Sequence, residues 1–193
     1  MTNNSNNIPT DNYFSLLGMV VHFDVDKTAL TNNYHEIQKS IHPDNYANAS
    51  DLERRLSIQK AAQINDALQT LKDPTRRATY LLSLFGIELN ENDTSVEPAF
   101  LMEQMELRES LSQVGDKSDP LAALDGILNN VKQRIKEAIE VLRSLFQQLT
   151  LDKVATNQDE LLKKAKSEVL KMQFLNRLQE ECLNKEEDLA DQY

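Results

Sequence analysis

The hydrophobic residues of this chain recur every three or four positions over most of its length, which is the period of an amphipathic α-helix. In the first half, the pattern predicts a short helix that Asp11 caps and a second helix that Asp26 caps. A third helix is expected to begin near Ser50, and a fourth to restart after Asp73 and end at Gly86. The second and third helices are expected to pack as an antiparallel hairpin across a short turn. The apolar positions of the third helix are Leu52, Leu56, Ile64, Leu68 and Leu71.

Three longer helical patterns follow in the second half of the chain. The first ends near Val114, and the third runs from about Thr156 to Leu189. The second alternates apolar spacings of three and four residues without interruption, as a coiled-coil seam does. Three such helices bury their apolar stripes best as an antiparallel bundle. The seam of the second helix consists of Leu121, Leu124, Leu128, Val131, Ile135, Ala138, Leu142, Leu145 and Leu149.

These patterns together predict an all-α protein with two domains. Residues 1–10 are rich in Asn and almost without apolar side chains, so a disordered tail is expected there. The hairpin domain is expected over residues 11–86 and an acidic linker over residues 87–97. Residues 98–193 are then left for the three-helix bundle.

Composition and charge exclude several classes of function. The net charge is −10 and the pI is near 4.8, so no nucleic-acid partner is expected. No apolar run reaches the roughly 18 residues that a membrane span needs, so no membrane association is expected either. Cys182 is the only cysteine, which excludes an internal disulfide and a cysteine-cluster metal site. We therefore expect a cytoplasmic protein without a metal ion or another cofactor.

The segment His42-Pro43-Asp44 lies between the second and third predicted helices. Proline has a fixed φ and disfavours helix at the residue before it, so His42 and Asp44 are expected on a rigid turn. One interpretation is a simple connector in which Asp44 caps the next helix. A catalytic or metal site would need a third group, and His22 and His35 have no motif spacing that would supply it.

The first helix of the predicted bundle has more apolar residues than one buried stripe requires. At about 100° per residue, Phe100, Leu107 and Leu111 fall on one side and are expected to face the core. The side and back of the helix are also partly apolar, with two carboxylates among the apolar residues, which is typical of a protein-binding surface. The alternative is that these residues pack against the first domain or in a wide bundle core. They are Leu101, Met102, Met105, Glu106 and Glu109.

The segment from Ile64 to Tyr80 resembles the end of a J-domain. The residues that match the J-domain pattern are Ile64-Asn65, Ala67, Leu71, Asp73-Pro74, Arg77-Ala78 and Tyr80. His-Pro-Asp lies twenty residues before this segment, which is where J-domains have it. The segments 11–18, 78–86 and above all 100–109 are similar to HscB, a co-chaperone of iron–sulfur cluster assembly with a J-domain and a three-helix bundle. The resemblance covers nearly the whole chain.

This resemblance implies a co-chaperone rather than an enzyme. It implies that His42, Pro43 and Asp44, together with Lys39, bind a specialised Hsp70 of the HscA type and stimulate its ATPase. It also implies that the bundle binds an iron–sulfur scaffold protein of the IscU type, so that clusters are transferred and iron–sulfur proteins mature. The residues that match the scaffold-binding positions of the family are Leu101, Met102, Met105, Glu106, Glu109 and Phe174.

Phe174 lies about 200° around its helix from Met172, which belongs to the apolar stripe. An aromatic side chain at that position is either exposed or packed on a neighbouring helix.

Three departures from the family pattern affect the expected partners, and one of them is Asn45, which stands where the family usually has a basic residue after His-Pro-Asp. Residues 27–41 contain only Lys27 and Lys39 as basic residues, against Glu36, where J-domains are strongly basic. We therefore expect weaker electrostatic steering toward Hsp70. Gln113 stands where the family has a further acidic residue, so one scaffold contact is in question.

Two other functions compete with this hypothesis. The chain could be a general J-domain protein whose bundle binds unfolded clients or another adaptor. It could also be a metal-dependent helical enzyme that uses His22, His35 and His42, although no helical pair of metal-ligating residues supports that reading.

Overall fold

The structure is a computed structural model that describes residues 9–41, 50–89, 98–151 and 157–190. Within these residues it has seven α-helices and no β-strand, so the all-α prediction is confirmed. The helices divide into two compact units, with α1 to α4 in the first, and α5, α6 up to Leu149 and α7 in the second. The helices are α1 (Tyr13–Leu16), α2 (Lys27–Ser40), α3 (Asp51–Lys72), α4 (Pro74–Leu84), α5 (Pro98–Ser112), α6 (Pro120–Leu151) and α7 (Gln158–Ala190).

Several sequence predictions fall on residues outside the described ranges. The His-Pro-Asp turn at 42–44 is one of them, and most of the predicted tail and of the predicted linker are others.

Side-chain caps begin the helices of the first unit. Asp26 accepts hydrogen bonds from the backbone N–H groups of the first turn of α2, as predicted. At the start of α3, Ser50 and Glu53 form a reciprocal capping box. The cap of α1 is Asn12 and not Asp11, because the Asn12 side chain accepts the N–H of Ser15 at 3.0 Å.

Glycine ends α1 and α4. Gly18 has φ +63° and Gly86 has φ +78°, which is the left-handed conformation that suits glycine after a helix. At Gly18 space is also limited, because an added Cβ would lie 3.3 Å from the amide nitrogen of Asn33. That amide donates to the carbonyl of Leu17 at 2.9 Å and so joins the end of α1 to α2.

Helix α3 is the centre of the first unit, since α1, α2 and α4 all pack against it. The Tyr13 ring stacks on Tyr80 with centroids 4.5 Å apart, and the Tyr13 N–H donates to the Tyr80 hydroxyl at 2.8 Å. The Tyr13 hydroxyl donates to Asp66 on α3 at 2.5 Å. This hydrogen bond, with burial, raises the pKa of Tyr13 to about 12. The two tyrosines therefore join α1, α3 and α4.

The apolar stripe predicted for α3 is buried only in the second half of the helix. Ile64 and Leu71 are buried and Leu68 is partly buried, whereas Leu52 and Leu56 are exposed. The printed sequence gives no sign of this difference, because all five residues recur with helical spacing. The side chains of Asn65 and Asp66, which hydrogen-bond to α2 and α1, lie in this buried half of α3.

The second unit is a bundle whose helices alternate in direction. Phe100 on α5 contacts Phe174 on α7, and further along the chain Arg108 pairs with Glu181, so α5 and α7 run parallel. Between them in sequence, α6 runs the opposite way. A short 3-10 helix at Val114–Asp116 separates α5 from α6. The bundle core is formed by Phe100, Val114, Leu124, Leu128, Val131, Phe174, Leu175, Leu178, Cys182 and Leu189.

The heptad seam of α6 is buried almost as predicted. Leu121, at the first turn of the helix, is exposed, and Ile135 is only partly buried. Phe146, which lies outside the predicted seam, is fully buried.

Within the described ranges, no helix is long and apolar enough to cross a membrane.

A buried arginine holds the junction between α3 and α4. Arg77 is only 5% exposed and donates from its guanidinium to the carbonyl of Leu71 at 2.5 Å. The same guanidinium lies 5.1 Å from the centre of the Phe23 ring, in the segment between α1 and α2. Arg77 thus contacts two parts of the chain that are far apart in sequence.

We predict that Arg77→Ala lowers the free energy of unfolding by about 2–4 kcal/mol, because it leaves a cavity and a buried carbonyl without its donor. The matched control is Arg76→Ala, since Arg76 is the exposed neighbour and its loss should cost less than about 0.5 kcal/mol. Urea unfolding followed by tyrosine fluorescence measures this, since the chain has no tryptophan. Equal losses for the two variants would contradict the assigned role.

Candidate partner-binding surfaces

The outward side of α5 is the first candidate surface, and we call it the α5 face. It consists of Leu101, Met102, Met105, Glu106 and Glu109. All five side chains are exposed, and Met102 and Met105 are 65% and 72% exposed. The structure thus brings together the five α5 residues that the sequence singled out, and the bundle core does not cover them.

Contacts on its inner side hold α5 in place. Phe100, which is buried, meets Phe174 of α7 edge to face at 5.7 Å between ring centres. Glu103 forms an ion pair with Arg134 of α6. These contacts come from the opposite side of the helix, so the α5 face is presented on a fixed support.

Phe174 packs on a neighbouring helix, which decides between the two alternatives that its sequence position left open. It is 9% exposed and belongs to the bundle core. The guanidinium of Arg108 lies 5.5 Å from its ring centre and also pairs with Glu181 at 3.7 Å. Phe174 therefore has little surface left for a partner, and its ring contacts with Phe100 and Arg108 support α5.

The carboxylates of the α5 face give it a negative charge. Neither Glu106 nor Glu109 has an ion-pair partner among the residues that the structure describes. Gln113 donates its side-chain amide to Glu109 at 3.1 Å. An apolar patch whose carboxylates are not neutralised by an ion pair is complementary to a partner surface that combines apolar and basic side chains.

The second candidate surface lies at the end of α2. Its His42, Pro43 and Asp44 are outside the described residues, so the structure gives geometry only for Lys39. Lys39 is exposed in the last turn of α2 and donates to Glu36 at 2.7 Å. The hydrogen bond from Lys39 lowers the pKa of Glu36. One of the two basic residues of this weakly basic helix therefore has its charge partly neutralised.

The histidines do not form a metal site in the part of the chain that the structure covers. The Nδ1 atom of His22 accepts the backbone N–H of Asp24 at 3.0 Å in a local turn. No three side chains of His, Cys, Asp or Glu come together as metal ligands in the described ranges.

Sequence reasoning missed two side chains of α6 that lie beside the α5 face. Val141 is an apolar residue outside the heptad seam and is 45% exposed, and Glu137 lies one turn before it. Both line a groove that Met102 and Glu106 also line. An exposed apolar residue off the seam is a detectable signal, but its position next to α5 required the structure.

Comparison with known proteins gives consistent matches. The family described as "HSCB C-terminal oligomerisation domain" matches residues 96–182. A curated relative, the co-chaperone protein HscB homolog of Shewanella baltica strain OS185, is 40% identical over 181 residues, which cover 93% of this chain and 99% of the relative.

Two solved structures are similar over most of the chain. The chaperone HscB from Vibrio cholerae has a TM-score of 0.77 and 43% identity, with 92% of this chain and 99% of that chain covered. The human co-chaperone protein HscB has a TM-score of 0.79 and 32% identity, with 92% and 83% covered. Both levels of identity are high enough for the likeness to extend beyond the fold.

Proposed function

The chain belongs to the HscB family of co-chaperones, and on this premise we propose that it delivers an iron–sulfur scaffold protein to a specialised Hsp70. The bundle binds a scaffold of the IscU type, and the first unit, as a J-domain, stimulates the ATPase of an HscA-type chaperone. Cluster transfer and the maturation of iron–sulfur proteins follow from that cycle, in the cytoplasm. A co-chaperone is not itself an enzyme, and its effect is on the activity of its partner.

The observation that carries this proposal is the exposure of the α5 face. Leu101, Met102 and Met105 place apolar surface in water, at a free-energy cost that burial against a partner would remove. Methionine adapts its shape to a partner, because its side chain is unbranched and polarisable. Glu106 and Glu109 add specificity, since they favour partners with basic side chains at the edge of the same contact.

The Hsp70 contact is proposed for His42, Pro43 and Asp44, with Lys39 beside them. A carboxylate on a proline-stiffened turn can accept charge-assisted hydrogen bonds from an arginine of the partner. Because proline fixes its own φ, a segment that contains Pro43 has less conformational entropy to lose when the complex forms. Docking would then favour the hydrolysis-competent state of the chaperone. This requires that the co-chaperone binds that state of the chaperone more tightly than the other state.

ATP turnover by the cognate Hsp70 tests the proposal. We expect that this protein and the scaffold together raise the steady-state rate, and that Asp44→Asn loses most of that increase, because the amide cannot replace the carboxylate as a charged acceptor. Binding of the scaffold should stay unchanged in the same variant. A rate that is insensitive to Asp44→Asn would contradict the assigned contact.

Replacing Leu101, Met102 and Met105 together by Ser should weaken scaffold binding at least about 30-fold, because apolar contact area at the centre of the interface is lost. The unfolding curve should not change much, since these side chains are exposed. A matched control replaces three exposed apolar residues of α3, Leu52, Leu56 and Ile58, by Ser. Titration calorimetry with purified scaffold gives the affinities, and similar losses in both variants would argue against the α5 face.

Glu36→Gln should raise the association rate with Hsp70 by about two-fold at low salt, because it removes a negative charge beside Lys39 and makes α2 more positive. The increase should disappear at high salt, where exposed charges are screened. Glu187→Gln on α7 is the control for the change in net charge. Stopped-flow binding measures both, and an unchanged rate for Glu36→Gln would mean that α2 does not steer the encounter.

A further inference from the structure

A groove with a volume of about 780 Å³ lies within the bundle unit and is lined by all three of its helices. Phe100, Ala138 and Leu175 contribute to its lining and are almost completely buried, so the groove reaches down to the bundle core. Two of its lining residues, Met102 and Glu106, also belong to the α5 face. The groove is therefore continuous with the surface that we propose binds the scaffold.

Helices α5 and α6 present matching side chains to this groove. Met102 and Glu106 are four residues apart on α5, and Glu137 and Val141 are four residues apart on α6, so each pair lies on one side of its helix. Because α5 and α6 run antiparallel, Met102 lies toward the same end as Val141. Glu106 likewise lies toward the same end as Glu137. The groove thus has an apolar end and an acidic end.

The other charges in the groove are already neutralised within the bundle. Glu103 pairs with Arg134, and Glu168 pairs with Lys171 at 3.3 Å. Glu137 accepts a hydrogen bond from the amide of Gln133 at 2.9 Å, but within the described ranges it has no ion-pair partner. The two remaining carboxylates, Glu106 and Glu137, give the groove a net negative charge.

We propose that this groove receives a basic side chain, arginine or lysine, of the same scaffold protein that covers the α5 face. Its charged end lies between Glu106 and Glu137, and its aliphatic stem contacts Met102 and Val141. This inference rests on the proposed function and extends the binding surface from α5 to two residues of α6. A single cation can pair with both carboxylates, and the long stem of arginine or lysine matches the apolar end.

Two single variants of α6 test the groove, with two matched controls on exposed positions away from it. Glu137→Gln and Val141→Ser should each weaken scaffold binding by about three- to ten-fold, as is usual for contributing interface residues. The controls, Asp125→Asn for the lost charge and Leu183→Ser for the lost apolar side chain, should change binding by less than about two-fold. All four side chains are exposed, so circular dichroism should show unchanged folding.

Salt distinguishes the roles of the two residues. The loss of scaffold affinity caused by Glu137→Gln should shrink as the salt concentration rises, because it reflects a lost charge contact. The loss of affinity caused by Val141→Ser should stay constant, because it reflects lost apolar contact. A further variant, Glu137→Lys, should bind more weakly than Glu137→Gln, since it places a cation next to the incoming one.

Three outcomes overturn the inference. If both α6 variants bind scaffold like the wild type while the triple Ser variant of the α5 face does not, the groove is not part of the interface and the proposed function stands. If the wild-type protein does not bind the scaffold at all, both fail. If the α6 variants change only the self-association of this protein in sedimentation experiments, a second copy of the chain is the occupant.

Discussion

A helix in a three-helix bundle can bury only one side, and α5 has more apolar residues than that side accommodates. Phe100 occupies the buried side and is held there by Phe174, so Leu101, Met102 and Met105 must face outward. In α6 most residues of the apolar seam are buried, and Leu121 and Val141 are the large apolar side chains of that helix that are exposed among the described residues. The surplus on α5 is therefore the feature that distinguishes a binding surface from the rest of the bundle, and the proposed function depends on it.

Several residues of the segment that resembles a J-domain have a structural role in the first unit. Arg77 and Tyr80, which belong to the segment that resembles a J-domain, join α4 to the rest of the unit through the Leu71 carbonyl and the Tyr13 backbone. Asn65 of the same segment accepts a hydrogen bond from Tyr34 on α2 at 2.7 Å. These residues hold together the helices on both sides of the His-Pro-Asp segment. The proposed role of that segment is contact with the chaperone.

The sequence was sufficient for the helices and for the composition of the α5 face, because both follow from helical periodicity. It was not sufficient where burial depends on a neighbouring element. Leu56 recurs with the stripe of α3 but is exposed, and Phe146 lies outside the seam of α6 but is buried. Phe174 was ambiguous for the same reason, since only the position of α5 determines whether an aromatic side chain there is covered. The contribution of Val141 to the groove likewise required the arrangement of two helices.

The central claim is that one molecule of this protein holds scaffold and chaperone at the same time, each on a different unit. Sedimentation velocity of the three purified proteins, with an Hsp70 variant that binds ATP without hydrolysing it, tests the claim most directly. We predict a complex that contains all three proteins and whose amount rises when scaffold is added to the pair of co-chaperone and chaperone. If scaffold and chaperone instead displace each other, so that only two-protein complexes form, the account is wrong.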